Sequence, residues 1–155
     1  MMAEIRIQVQ SADFDFAAEY ARFDGRAEMG AMVAFVGRVR DLDGSITAMS
    51  LEHYPGMTEK SLVKIVDQAC DHWPLQAVTL IHRVGDLRAA EQIVLVLTAS
   101  AHRQAAYEAN AFIMDFLKTQ APFWKKEGSG ACLEWVDARE SDQSALDRWQ
   151  YLRVV

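Results

Sequence analysis

A chain of 155 residues, about half of them hydrophobic, is long enough to bury roughly two-thirds of its unfolded surface as one domain. Its net charge of −6 disfavours a general nucleic-acid binder, which needs basic surface to neutralise phosphate. No apolar run approaches the ~20 residues that span a bilayer. Met1 to Arg6 lacks the basic-then-apolar layout of a secretory leader, so a cytoplasmic protein is expected. The two cysteines, Cys70 and Cys132, form no CxxC pair and have no histidine at ligand spacing, so both are read as reduced, buried or inert, with no metal site.

In chain order, Ile5, Ile7 and Val9 alternate with Arg6, Gln8 and Gln10 as a half-buried strand does. Asp13 or Asp15 can cap a short helix that runs to about Phe23 and stops at Asp24-Gly25. Met29 to Val39 is β-rich and almost wholly apolar, which predicts a central strand, with Gly30 and Gly37 marking a bulge or a close approach. Asp41 to Ser45 is a turn and Ile46 to Tyr54 returns, the two strands forming a long hairpin. Pro55-Gly56 ends it, and Thr58 can cap a helix with an apolar stripe at Leu62, Ile65, Val66, Ala69 and Trp73. Strands Ala77–Val84 and Gln92–Thr98 follow, with a turn at Gly85-Asp86. Ser100 then caps the longest helix, about Ala101 to Gln120, with its core stripe at Ala105, Ala109, Phe112, Ile113 and Phe116. A strand Phe123–Glu127, a glycine turn, a strand Cys132–Val136 and a helix about Asp142–Trp149 complete an α+β chain of hairpins and two main helices.

Positive charge gathers at a few places in this acidic chain. His102 and Arg103 open the long helix, where cations oppose the macrodipole but, with the unbonded N–H groups, can seat an anion. Arg38 and Arg40, two apart on a strand, should point the same way. His53, before the Pro-Gly turn, is as much a structural hydrogen-bonding residue as a catalytic base. Lys118 lies in the last turn of the long helix, where the dipole favours a cation. Its face also carries Met114, Ala111 and Tyr107, more apolar than a solvated lysine needs. A partly desolvated lysine beside other cations has a lowered pKa and becomes a base or nucleophile. Lys125 and Lys126 must face opposite ways, and parity alone does not choose which of them joins Lys118. Arg103 and Lys118 are separated by about 22 Å of helix, too far to grip one small ligand. A homodimer, with the His102/Arg103 end supplied in trans, is the expected remedy.

Phe35-Val-Gly-Arg-Val-Arg40, Leu51-Glu-His-Tyr-Pro-Gly-Met57, Ile81-His-Arg-Val-Gly85, Ser100-Ala-His-Arg103, Phe112-Ile-Met-Asp-Phe-Leu-Lys118, Ala121-Pro-Phe-Trp-Lys125-Lys-Glu127 and Trp135-Val-Asp-Ala-Arg139-Glu occur together and in this order. Over nearly its whole length the chain thereby resembles the catalytic, large-subunit family of molybdopterin synthase. The resemblance implies an α/β-hammerhead type of α+β fold spanning residues 1–155 as one domain, and a central homodimer. A small ubiquitin-like sulfur carrier would dock at each end, making a heterotetramer. The carrier's C-terminal Gly-Gly thiocarboxylate would deliver two sulfurs to cyclic pyranopterin monophosphate, opening the cyclic phosphate and giving the molybdopterin dithiolene, with no cofactor of the enzyme's own.

By the same resemblance, Lys118 and Lys125 are catalytic, Lys118 as acid/base or transient acyl acceptor. Arg40, His102, Arg103 and Arg139 bind the phosphate and pterin, and Phe35 and Met114 wall the site. The alternatives are a scaffold that binds the carrier or a phosphopterin without turnover and, more weakly, a Schiff-base lyase; intact Lys118 and Lys125 argue against the scaffold. The turn 41–45 is shorter than in better-known members, and the tail beyond Trp149 receives no role.

Overall fold

The computed structural model describes residues 2–137 and 140–152. The elements are β1 (Glu4–Gln10), α1 (Phe16–Ala21), β2 (Ala31–Arg38), β3 (Ala48–His53), α2 (Met57–His72), β4 (Leu75–Arg83), β5 (Gly85–Arg88), β6 (Gln92–Ser100), α3 (Arg103–Gln120), β7 (Phe123–Ser129), β8 (Cys132–Val136) and α4 (Glu140–Asp147). They build two four-stranded sheets, in the orders β1-β4-β6-β2 and β5-β3-β7-β8. Among the described residues only β1 and β4 pair in parallel; the other pairs are antiparallel. This is the expected α+β architecture. No described helix is long and apolar enough to cross a membrane.

Alternation sorts the first sheet into two apolar faces. Val78, Leu80, Val94 and Val96 face α2 and α3, whose stripes of Leu62, Ile65, Val66 and Ala69 and of Ala109, Phe112, Ile113 and Phe116 close the main core. Ala77, Ile81, Leu95, Leu97 and Ala99 face the other way, onto Phe14 and Phe23. In the second sheet, Met49, Leu51 and Leu87 pack with Val39 in a smaller cluster.

Six expectations are corrected. β2 and β3 are not a hairpin: β2 pairs with β6, and β3 with β5 and β7. The chain leaving β2 is tied to the β5–β6 connection by Val39 N–H to Glu91 O and Ala90 N–H to Val39 O, which carries it out of one sheet and into the other. β2 is also the outermost strand of its sheet rather than central. Met32 and Val36 pack partly on the Phe14/Phe23 cluster and Val33 lies on the α3 side, but no residue of β2 is fully buried and Phe35 is exposed.

Thr58 does not cap α2. Gly56, at φ 87°, is the N-cap, its N–H donates to Glu59 Oε2, and Thr58 Oγ1 instead accepts from Tyr54 N and donates to Pro122 O. Nor does Ser100 cap α3, since its hydroxyl donates to Pro74 O and His102 is the N-cap. Gly85-Asp86 opens strand β5, not only a turn. The cysteines are free but not buried. Cys70 is half-buried, and Cys132 is exposed on the outermost strand β8.

Candidate active site

Asn110 fixes how α3 lies on the first sheet. Its buried amide donates to Val33 O of β2 (3.1 Å) and Val96 O of β6 (2.9 Å). Thr98 Oγ1 donates to Ala106 O one turn earlier. One turn beyond Asn110, Met114 is buried against the same core; one further turn brings Lys118, exposed, to the end of the helix. Pro122 cannot continue the helix, and Ala121 is already extended. The chain turns at once into β7, held there by the Thr58 hydroxyl on Pro122 O.

At that turn the two sheets meet through His82 of β4 and Phe123 of β7. On the α3 side of the first sheet, register aligns His82 of β4 with Val94 of β6 and Gly37 of β2, and the next row aligns Leu80, Val96 and Phe35. The Phe35 ring lies against Gly37, where an added Cβ would stand 3.3 Å from it and 2.8 Å from Val94 Cγ1. Phe123, the first residue of β7, stacks on the His82 imidazole with centroids 3.9 Å apart and planes 15° apart.

Two residues further, Lys125 sits opposite buried Leu51 and shares the inner face with Phe123 and Glu127. Its ammonium is 3.7 Å from Glu127 Oε2. Lys126 faces outward, with its ammonium 4.2 Å from the centre of the Trp135 ring, a cation–π contact. The opposed lysines follow the parity expected.

His82 was not among the residues singled out from sequence. Burial pushes its pKa down to about 4; the Arg83 carbonyl opposes this, and the positive charges of Lys118 and His53 add to it. Its Nδ1 lies 2.8 Å from Arg83 O, and because a carbonyl only accepts, Nδ1 carries the proton and Nε2 of the neutral ring is left as an acceptor. The available signal was a histidine at the inward parity of a strand otherwise reading Val78, Leu80. His53 is half-buried, with Nε2 3.6 Å from Glu59 Oε1.

Met114 and Lys118 lie in the last two turns of α3, Lys125 follows Lys118 by seven residues on β7, and Phe35 lies on β2, across which α3 is held by Asn110. His102 and Arg103, both exposed, lie at the opposite end of α3, and the 18-residue helix is unbroken. The pair expected from Arg38 and Arg40 does not form. A register shift at Gly37/Arg38 and the end of β2 break the alternation; Arg38 Nε donates to Ala90 O, and Arg40 is exposed beyond the strand. Arg139 lies outside the described residues. Cavities of about 350 and 540 Å³ lie elsewhere, beside Phe23 and Met32 and beside Leu87 and Leu133.

Residues 9–120 match the family model described as MoaE protein. The molybdopterin synthase catalytic subunit of Escherichia coli is 53% identical over 150 residues, covering 96% of this chain and 100% of its own. The chain belongs to the MoaE family. These are catalytic subunits of molybdopterin synthase, enzymes of sulfur transfer. Among MoaE structures, the molybdopterin biosynthesis MoaE protein of Burkholderia ambifaria superposes with a TM-score of 0.80 at 50% identity, covering 96% of this chain and 99% of that one. The molybdopterin synthase of Staphylococcus aureus gives 0.75 at 30% identity, covering 83% and 95%.

Proposed function

We propose that this chain is the catalytic subunit of a cytoplasmic molybdopterin synthase, working as the homodimeric core of a heterotetramer. It moves two sulfurs in succession from the C-terminal thiocarboxylate of a small ubiquitin-like carrier onto cyclic pyranopterin monophosphate. In each transfer a C–S bond forms at a side-chain carbon of the pterin as a C–O bond at that carbon breaks, the oxygen leaving with the opened phosphate or as water, and the acyl C–S bond of the carrier tail then breaks. Water supplies the oxygen that returns the tail as a carboxylate. Both reactants are anions, so cations must stand between them.

The observation that carries this reading is the inward-facing Lys125 on the strand that starts beside Lys118. Lys118 serves the tail as acid/base or transient acyl acceptor, and Lys125 stabilises the developing negative charge. Phe35 and Met114 wall the flat pterin. Arg40, together with His102, Arg103 and Arg139, binds the phosphate; the helix-start pair comes from the partner subunit. The acyl acceptor here is a lysine or water, so the chemistry makes no call on either cysteine.

Incubation with thiocarboxylated carrier and the cyclic pterin under reducing, anaerobic conditions tests the proposal. A dithiolene product is expected. Its absence, with carrier binding retained, would leave only a scaffold.

A further inference from the structure

His82 has one ring nitrogen committed, to Arg83 O, and one ring face committed, to Phe123. Its neighbour Arg83 points to the opposite sheet face, where its guanidinium donates to Ser11 O and Gln92 O. What remains to the imidazole is Nε2 and the ring face away from Phe123. Phe123 opens β7 just past the Ala121-Pro122 turn that ends α3, five residues beyond Lys118, so the stack ties the imidazole to the segment leaving the helix end. The charged and titratable groups that act on the imidazole are Lys118 from α3 and His53 from β3, the latter with Glu59 of α2 beside it, while Lys125 pairs with Glu127 further along β7. Lys118 and His53 both act on His82 as positive charges.

We propose that His82 is a positioning residue: clamped between Arg83 O and the Phe123 ring, it offers Nε2 as an uncharged acceptor that orients the Lys118 ammonium toward the reacting carbonyl. A carboxylate in that position would hold the lysine protonated through an ion pair, whereas a neutral nitrogen orients it and still lets it give up a proton. The inference deepens the functional reading above and rests on it for its kinetic arm only.

Three variants separate the roles of the ring. His82→Phe keeps the stack and removes both nitrogens. His82→Asn keeps a donor for Arg83 O at the place of Nδ1 but offers nothing at Nε2; His82→Gln reaches the Nε2 position. With thiocarboxylated carrier and cyclic pterin, His82→Phe is expected to lower kcat about 10–100-fold with KM nearly unchanged, the scale of a misplaced catalytic group. Gln should recover activity that Asn does not.

A second readout needs no substrate. The pH dependence of Lys118 labelling by an amine-selective reagent, followed by mass spectrometry, should shift in His82→Phe and return with Gln, while Lys125 labelling stays constant. If His82→Phe fails to fold, the order of Gln over Asn in labelling still decides. Wild-type kcat and labelling in His82→Phe, or Asn equal to or better than Gln, would overturn the proposal. A labelling shift without any sulfur transfer in the wild type would leave the positioning role standing and remove the function instead.

Discussion

A histidine buried as deeply as His82 makes the protein sensitive to mild acid. In the unfolded chain its imidazole titrates near 6.5, whereas burial lowers the folded value to about 4. Between those values the unfolded state binds the proton and the folded state does not, so stability falls as pH drops from about 6.5 to 4 and the loss levels off below. A gap of this size corresponds to roughly 3 kcal/mol. Melting temperatures measured across that window should fall for the wild type, and His82→Phe should lack this part of the slope. The lysines divide by face. Lys118→Ala should lower turnover by about 10²–10⁴, the range of a lost acid–base group, without changing the melting temperature, because the side chain is exposed. Lys125→Ala should be similarly impaired, whereas Lys126→Ala, trimming an ammonium that lies over Trp135, should keep near-wild-type kcat. Equal losses at Lys125 and Lys126 would refute the assignment.

The end of α3 is held from outside by the chain's last described segment. Asp115, three residues before Lys118, accepts from Trp149 Nε1 (2.7 Å) and Arg148 Nε (2.9 Å). The Trp149 ring is buried edge-on against Trp73 and Phe112. Trp149→Ala removes a large aromatic from the main core and one of the donors to Asp115. It should destabilise the fold by about 3–5 kcal/mol, read from denaturant unfolding, with Trp149→Phe losing distinctly less. This gives the tail around Trp149 a structural part that its composition did not disclose. At this scale the elements themselves were largely legible: the stripes of α2 and α3 have helical spacing, and Asp15 accepts from Ala18 N as an N-cap. Pairing was not legible. Two apolar strands around a polar turn satisfy the pattern of a hairpin, and nothing local encodes that Val39 exchanges backbone hydrogen bonds with residues 90 and 91. The capping errors have the same origin. Thr58 and Ser100 are good caps by type, but each hydroxyl is claimed by a carbonyl distant in sequence, Pro122 O and Pro74 O.

Across the whole molecule, a net charge of −6 surrounds two cationic places at opposite ends of one straight helix. The sequence marked both, because lysine and arginine are conspicuous in an acidic chain, and helix length already set them about 22 Å apart. It did not mark His82, whose importance arises from strands and a helix end that meet only in three dimensions. Folding leaves Lys118 at one end of α3 and His102 and Arg103 at the other, so in the proposed function a second copy supplies the helix-start pair to the phosphate. In a symmetric dimer each site would take Lys118 from one chain and Arg103 from the other. Lys118→Ala and Arg103→Ala homodimers should each be nearly inactive. When the two variants are unfolded, mixed in equal amounts and refolded, about half the dimers are hybrids, and each hybrid contains one site with both residues intact and one with neither. Activity should therefore return to about a quarter of wild type. If the site were complete within one chain, every site in the hybrid would lack one residue or the other, and mixing would recover nothing.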